Sequence, residues 1–258
     1  MPDHTIFNER PESQDRALKV IERLGYTIVP RSEAERKRGS RKAVLFTEEL
    51  QAFLSKQTYR FGSETRYFSG GAIARAMQAV DQHSAAGLYA ANKEIYELIC
   101  SGKSMEEELP DGTRQSFDIR YIDFEHPENN TFQVTDEFEV PNGRFARPDL
   151  VVLVNGIPLV VIECKKSSVD VMEGVTQNIR NWGEDYIPHL FRYAQLVMAM
   201  NPDKVLYGTC GTPAKYFVSW HEDNKDWLND WCRKCSPDGQ IREQDRALVS
   251  LLHPERLL

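Results

Sequence analysis

The amino-acid sequence predicts an α/β fold in which helices pack on the faces of a mixed central sheet. Apolar residues recur at helical spacing before residue 101, β-type segments follow, and helical spacing returns from residue 171. The longest apolar run, residues 150–154 and 157–162, is interrupted only by Asn155-Gly156, a dipeptide typical of two-residue hairpin turns. A block of strands between helical segments is typical of an α/β domain.

The same periodicities place the individual elements along the chain. Helices are predicted where apolar residues recur every three or four positions, at 11–24, 47–56, 72–81, 85–101, 171–182, 190–200 and 240–252. Strands are predicted where β-type residues lie between turn residues, at 26–29, 116–122, 131–140, 149–154, 159–165, 204–208 and 216–220. The aromatic and glycine-rich segment 59–71 is predicted to be a loop.

Composition argues against several classes of protein. The chain has 258 residues, enough to bury a core, and it has no apolar stretch of about 18 residues that could cross a membrane. It begins without the apolar segment of a signal peptide, so the cytoplasm is the expected location. Its five cysteines are scattered and odd in number, which favours reduced thiols over a disulfide framework. Cys232 and Cys235 alone are too few for the four ligands of a structural zinc site.

The net charge of −7 argues against a nucleic-acid-binding surface, because phosphate contacts require lysine and arginine. The charge is unevenly distributed, since residues 144–215 carry +1 and the remainder carries −8. A basic run at residues 36–42 forms a second positive segment. Arg36, Lys37 and Arg38 in this run are candidate phosphate contacts, although a solvated loop is the simpler interpretation.

The hairpin at residues 155–156 determines which charged side chains share a face of the sheet. Glu163 and Lys165 are two residues apart, so in a strand their side chains point the same way. A regular two-residue turn pairs Asp149 with residue 162 and sends its side chain to the other face. One bulge, or a loop of odd length, shifts the register by one residue and places Asp149 beside Glu163. A site that uses all three residues therefore requires such a feature.

Asp149 and Glu163 at this separation would repel each other and raise each other's pKa. A hard cation relieves the repulsion, and Mg²⁺ prefers oxygen ligands while keeping several waters. Such an ion polarises a phosphate ester and acidifies a water molecule. Lys165 on the same face would hold the attacking water or neutralise the charge that develops on phosphorus. The three residues together favour a magnesium-dependent site that hydrolyses phosphate esters.

Spacing alone does not establish such a site, because acidic-x-Lys triplets occur by chance and charged residues often mark where a strand meets water. The context favours catalysis. Residues 160–162 are apolar on both faces, which indicates a buried strand. A carboxylate and a lysine directly after a buried strand are costly unless they are used.

The run RPDLVVLVNGIPLVVIECKKSS at residues 147–168 resembles the N-terminal nuclease domain of type I restriction enzyme R subunits, in the PD-(D/E)xK nuclease superfamily. The similarity continues in five further segments: 92–98, 123–132, 171–178, 194–199 and 215–217.

This resemblance implies a restriction-endonuclease-like mixed sheet flanked by helices. The nuclease domain would occupy residues 1–238, with residues 30–90 as a mostly helical insertion. Residues 239–258 would form a helix or linker leading to an ATPase motor outside this chain.

The resemblance also implies roles for individual residues. The implied catalytic residues are Asp149, Glu163, Lys165 and Gln177. The implied Mg²⁺ ligands are Asp149, Glu163 and the backbone carbonyl of Cys164. Glu12 in the first helix is a further candidate ligand, although the helix dipole explains an acidic residue there better. The candidate DNA contacts are Lys166, Arg147, Arg180, Arg36, Lys37 and Arg38.

Many family members carry Gln-x-x-x-Tyr on the helix after the catalytic strand. Here Gln177 is followed one helical turn later by Asn181, so the two side chains share a face but no tyrosine is present. An exposed helix position is the alternative interpretation of Gln177.

The implied function is cleavage of double-stranded DNA, with methyltransferase and specificity subunits as partners. R subunits are ATP-driven motors, but this sequence has no G-x-x-x-x-G-K-[ST] phosphate loop. We therefore expect a fragment that lacks the motor. Only the motor would need ATP. The alternatives are a stand-alone repair nuclease of the same superfamily and a module that binds DNA or the motor without cutting.

Overall fold

The computed structural model describes residues 12–40, 42–82, 87–141 and 144–258. The strands are β1 (Thr27–Val29), β2 (Thr58–Phe61), β3 (Glu64–Tyr67), β4 (Lys103–Glu108), β5 (Arg114–Ile119), β6 (Phe132–Asp136), β7 (Leu150–Val154), β8 (Ile157–Cys164), β9 (Leu196–Asn201) and β10 (Lys204–Gly208). The helices are α1 (Glu12–Arg23), α2 (Arg31–Lys37), α3 (Thr47–Ser55), α4 (Gly70–Asp81), α5 (Leu88–Ser101), α6 (Val171–Asn181), α7 (Pro188–Phe191), α8 (Lys225–Cys235), α9 (Glu243–Leu252) and α10 (Pro254–Leu257). Within these ranges, every helix is too short or too polar to cross a membrane.

The central sheet has six strands in the order β1-β6-β7-β8-β9-β10. β1 runs parallel to β6 and β8 runs parallel to β9, whereas the other neighbouring pairs are antiparallel. Every residue of β7 and β8 is buried, so neighbouring elements cover both faces of this hairpin. Helix α6 packs against β8 and β9, while α1 and α9 pack against β1 and β10. The predicted mixed sheet flanked by helices is confirmed.

The chain between β1 and β6 carries helices α2 to α5 and two small antiparallel sheets, β2–β3 and β4–β5. The predicted loop at 59–71 is wrong, because most of it forms the β2–β3 hairpin, which turns at Gly62 with a φ of +60°. Helices α2 and α8 were not predicted from the sequence. The predicted helix starts at residues 11 and 85, and residue 41 of the basic run, lie outside the described residues.

The predicted helix at 190–200 is wrong over its second half, which forms strand β9 between β8 and β10. Residues 197–200 are apolar and buried, and a continuous apolar run has no periodicity that separates a buried strand from a buried helix. The strand predicted at 216–220 is reduced to a short 3₁₀ turn and one bridge between Tyr207 and Val218.

The C-terminal helix α9 packs against α1 and α8. Arg16 of α1 donates two hydrogen bonds to the buried Asp245 carboxylate, at 2.8 and 2.7 Å. Gln244 Nε2 donates to the Ser13 carbonyl at 3.0 Å. The predicted domain limit at residue 238 remains a prediction, but the helix beyond it shares a core with the rest of the chain.

The turn of the β7–β8 hairpin is held by the chain between β1 and β6. Asn155 and Gly156 have φ angles of +50° and +81°, as a type I′ turn requires. The buried Asn155 side chain donates to the Tyr121 carbonyl at 3.0 Å and to Asn130 Oδ1 at 2.7 Å. The Gly156 carbonyl accepts the Phe46 N–H at 2.9 Å. These contacts fix a two-residue turn at this end of the hairpin.

The hairpin also contains the predicted bulge. Leu153 pairs with Pro158 next to the turn, but Val152 pairs with Val160, so Leu159 is an extra residue in β8. Beyond this point the register is shifted by one residue, which confirms the prediction made from the spacing of the charged residues.

We expect Gly156→Ala to destabilise the protein more than Gly62→Ala. Both glycines have positive φ in two-residue turns, which costs an alanine roughly 1–2 kcal/mol. A Cβ at Gly156 would also collide with the Phe46 carbonyl oxygen, whereas a Cβ at Gly62 meets nothing within 4 Å. Overpacking adds roughly 1–3 kcal/mol, so thermal unfolding should separate the two variants. Equal melting temperatures would contradict the close contact between the turn and the insertion.

Candidate active site

The bulge places Asp149, the residue before β7, opposite Glu163 near the end of β8. Leu150 pairs with Ile162, so Asp149 and Glu163 are the next positions outward. Asp149 Oδ2 accepts the Cys164 N–H at 2.7 Å, which holds this carboxylate over the end of β8. Glu163 is fully buried and Asp149 is half-buried. The structure therefore brings the two predicted metal ligands together.

Lys165 and Gln177 complete this cluster. Lys165 Nζ lies 4.0 Å from Glu163 Oε2 and donates to Gln177 Oε1 at 2.6 Å. Gln177 Nε2 donates to Glu163 Oε2 at 2.6 Å, so its amide bridges the Lys165 ammonium group and the Glu163 carboxylate. Gln177 is thus engaged with the site, and the alternative of a free exposed position is wrong.

Helix α6 can deliver Gln177 because it lies very close to the sheet. The helix begins at Asp170, whose side chain accepts the Met172 N–H at 2.9 Å. Gly174 faces the strands, and a Cβ there would lie 3.0 Å from the Ala199 Cβ and 3.5 Å from the Glu163 Cβ. A glycine at this position therefore permits the close approach.

Asn181, at the position of the family's tyrosine, also reaches the carboxylate. The side chain is fully buried, and its Nδ2 donates to Glu163 Oε1 at 3.3 Å. Its Oδ1 accepts hydrogen bonds from Arg180 Nε and Nη2 at 3.4 and 3.2 Å. The sequence signal for this contact was the four-residue spacing from Gln177, which places both amides on one face of α6.

Burial raises the pKa of Glu163 well above the ordinary glutamate value, the facing Asp149 raises it further, and Lys165 opposes the shift. Burial also raises the pKa of Asp149, against the Cys164 N–H and Lys165, which lower it. Burial of both carboxyl groups and the repulsion of Glu163 by Asp149 disfavour the charged forms. A site without a cation therefore favours fewer than the two negative charges that these carboxyl groups carry in water.

The donor set fits a hard divalent cation that takes few protein ligands. Two carboxylates satisfy the preference of Mg²⁺ for oxygen, and the remaining positions suit water or phosphate oxygen. In the described part of the chain, no group of three or more histidine, cysteine or acidic side chains forms a closed metal cage. Burial raises the pKa of the Cys164 thiol well above its ordinary value, so its backbone carbonyl is the group suited to a hard cation.

Glu12 does not lie in this cluster. Its side chain is 72% exposed and pairs with Arg242 at 2.7 Å, because the first turn of α1 faces α9 at this position. The next two residues contact the site instead, through its backbone: Ser13 Oγ donates to the Lys165 carbonyl at 2.7 Å, and Gln14 Nε2 to the Asp149 carbonyl at 3.3 Å. No pattern in the sequence predicts these two contacts.

The basic run is mostly used to hold the fold. Arg38 is buried, donates to the carbonyls of Ala43 and Glu139, and packs 4.3 Å from the centre of the Phe138 ring, so the prediction that it contacts DNA is wrong. Lys37 is largely buried and pairs with Glu49.

Arg36 is exposed but lies 3.8 and 3.9 Å from the carboxylates of Glu33 and Glu48. These acids offset the charge of Arg36, so each of the three candidate contacts has a partner within the fold.

The candidate contacts near the carboxylates are better placed. Lys166 is exposed directly after Lys165, and Arg147 pairs with Glu137 at 3.2 Å. Arg180 is exposed and, with Lys165 and Gln177, lines a groove of about 500 Å³.

This fold, with two carboxyl groups and a lysine at the end of its central hairpin, defines an α/β protein with the residue types of a metal-dependent nuclease. Residues 6–216 match the family described as type I restriction enzyme R protein N terminus, and the chain belongs to this family.

Curated relatives agree with this assignment. The type I restriction enzyme HindI endonuclease subunit of Haemophilus influenzae is 25% identical over an alignment of 263 positions, which covers 98% of this chain and 23% of the relative. The SsaAORF53P endonuclease subunit of Staphylococcus saprophyticus is 37% identical over 83 residues, 32% of this chain and 9% of the relative. The SauCOLORF180P endonuclease subunit of Staphylococcus aureus is 30% identical over 118 residues, 45% of this chain and 12% of the relative. The chain therefore spans less than a quarter of the length of these relatives.

We expect Asp149→Asn to stabilise the metal-free protein, and the gain to grow as pH rises. The folded-state pKa values of Asp149 and Glu163 are raised, so their contribution to stability is present below the ordinary carboxyl pKa and is lost as pH rises through the raised values. An asparagine removes one of the two charges, can still accept the Cys164 N–H, and can donate to Glu163. Melting should be measured in a chelator at pH 5, 7 and 8, and each kcal/mol gained corresponds to about 2–4 °C.

Asp118→Asn, at an exposed position on β5, is the matched control and should show no such dependence. Added Mg²⁺ should raise the melting temperature of the wild-type protein and leave that of Asp149→Asn unchanged. A variant that melts below the wild-type protein at pH 8 in chelator would contradict the repulsion between the two carboxyl groups.

Proposed function

We propose that this chain is the part of a type I restriction enzyme that cleaves DNA phosphodiester bonds by metal-assisted hydrolysis. The observation that carries the proposal is the pairing of Asp149 with Glu163 across the bulged hairpin, with Lys165 next to Glu163. Membership of the family supports it, because the relatives are described as endonuclease subunits.

In the proposed site, Asp149, Glu163 and the backbone carbonyl of Cys164 would hold Mg²⁺. The bound ion would polarise a phosphate ester and lower the pKa of a coordinated water. Lys165 would orient the attacking water and stabilise the charge that develops on the phosphate. Gln177 contacts both Lys165 and Glu163 and would hold them at a fixed separation.

Double-stranded DNA would approach through the groove lined by Lys165, Gln177 and Arg180, with Lys166 exposed beside it. Translocation driven by ATP, and the methyltransferase and specificity subunits, belong to the larger enzyme that we propose. The chain itself spans 23% of the HindI subunit and carries no phosphate loop in its sequence. The specificity subunit would read the bases, and this domain would supply the cut.

We expect Glu163→Ala and Lys165→Ala, introduced into the full-length assembly, to reduce DNA cleavage by about a hundredfold or more. ATP hydrolysis stimulated by DNA should persist, because the motor would lie outside this chain. Nicking of supercoiled DNA and ATP turnover should be measured on the same preparations. Lys204→Ala, at an exposed position on β10, is the control and should retain both activities. Equal loss of both activities in the Glu163 or Lys165 variants would assign these residues to the fold instead of the chemistry.

We expect the isolated chain to bind duplex DNA weakly, with a dissociation constant of about 10 µM or more near physiological salt. A domain with a net charge of −7 repels a polyanion, and Arg38 and Lys37 of the basic run are engaged within the fold. In the assembly, translocation would raise the concentration of DNA at the site without new contacts here. The titration should use Ca²⁺ in place of Mg²⁺ to block cutting. Sub-micromolar binding that resists salt would favour a stand-alone nuclease.

A further inference from the structure

Two arginines face one tyrosine ring beside the candidate active site. The guanidinium carbon of Arg180 lies 5.3 Å from the centre of the Tyr186 ring, and that of Arg144 lies 5.7 Å from the same centre. Arg144 Nη1 also lies 3.5 Å from the Tyr186 hydroxyl oxygen, at hydrogen-bond distance. Both arginines are exposed. We call these three residues, Arg144, Tyr186 and Arg180, the arginine rim.

The arginine rim is joined to both segments that carry the carboxylates. Arg180 donates to Asn181 Oδ1 at 3.2 Å, and Asn181 in turn donates to Glu163. Arg144 precedes Asp149 by five residues, and its backbone N–H donates to the Asp185 carbonyl at 2.9 Å. Because the groove beside Lys165 is bounded by Arg180, the rim continues directly from the proposed site of cleavage.

The positive charge of the rim is only partly offset within the described part of the chain, where the Glu163 carboxyl acts on Arg180 without forming an ion pair. Arg147 nearby forms an ion pair with Glu137 at 3.2 Å, but neither rim guanidinium has a carboxylate within ion-pair distance among the described residues. The Asp185 carboxylate acts on Arg144 only from beyond that distance. Two like charges on one ring repel, so an anion that contacts both would be favoured.

The chemistry of the rim fits the phosphates of a nucleic acid strand. Planar guanidinium groups bind phosphate oxygens in a bidentate geometry, and stacking on an aromatic ring holds them in place. Phe145, next to Arg144 in the chain, is 65% exposed, and exposed aromatic rings stack on nucleobases. An exposed apolar ring at the neighbouring chain position, with the Arg147 guanidinium carbon 6.0 Å from its centre, favours a strand over a free inorganic ion.

We propose that Arg144 and Arg180 bind neighbouring phosphates of the DNA strand that enters the candidate active site. This inference rests on the proposed nuclease function and adds the position of the strand to it. Lys165 would contact the phosphate that is cut, and the rim would hold the strand on the side of Tyr186. Arg144 was not among the contacts expected from the sequence, and its place is set by the backbone bond to Asp185.

The test is a binding titration of this chain on a short labelled duplex over a series of low salt concentrations, with Ca²⁺ in place of Mg²⁺. Each phosphate contact contributes about 0.9 to the slope of log K against log salt. We expect Arg144→Gln and Arg180→Gln each to lower the magnitude of the slope by about 1, and the double variant by about 2. The control is Arg60→Gln combined with Arg75→Gln, which removes the same charge from exposed positions on β2 and α4. That control should keep the wild-type slope.

A double variant that keeps the wild-type slope, or a control that loses as much, would overturn the inference. Arg144→Gln alone must lower the slope, because Arg180 also contacts Asn181 and could act through Glu163. Melting temperatures measured alongside would show that each variant is folded. Failure of the proposed function gives a different result: the rim variants lower the slope, but no assembly containing the intact chain cuts DNA.

Discussion

Asp149 and Glu163 face each other at the end of the central hairpin, where Glu163 has no exposed surface. Their carboxyl groups repel each other when both are charged, and the neighbouring elements offset this repulsion. The side-chain amides of Gln177 and Asn181 both donate to the Glu163 carboxyl, one to each oxygen. Both amides come from α6, whose close approach depends on Gly174. The hydrogen bonds that stabilise the Glu163 carboxyl group therefore depend on the close packing of this helix on the sheet.

The position of the carboxyl groups depends in turn on the bulge at Leu159. Both faces of β8 are buried, so a slip of one residue would send Glu163 into the core and turn Cys164 toward the site. The turn cannot absorb such a slip, because Asn155 and Gly156 are bonded on two sides to the chain between β1 and β6. This segment thus fixes the register of a strand whose charged end lies at the opposite end of the hairpin.

Structure could be predicted from the sequence where the chemistry of the side chains and the spacing of the apolar residues indicated the same arrangement. Periodicity predicted the sheet and Asn155-Gly156 predicted the hairpin, while the charged residues predicted the bulge, since only a shifted register could unite Asp149 with Glu163. It failed where burial removes periodicity, as in β9, whose residues are apolar on both faces. It failed again for Arg38, because a basic run looks the same whether its side chains meet water or cap backbone carbonyls inside the fold. The contact of Asn181 with Glu163 could be predicted only from its four-residue spacing from Gln177, since the residue type departs from the family pattern.

The distribution of cations is consistent with an acidic domain that acts on a polyanion, as we propose. Arg16 joins two helices through Asp245, and Arg38 joins a loop to the segment after β6, so both charges have partners within the fold. Arg144 and Arg180 keep theirs beside the carboxyl groups. With the proposed divalent ion bound, the local charge at the end of the hairpin would rise by two, and a phosphate oxygen would become one of its ligands. Binding of the ion and binding of the strand would then each favour the other by the same free energy. Such coupling would let a domain whose overall charge repels nucleic acid hold a strand when the proposed ion is bound.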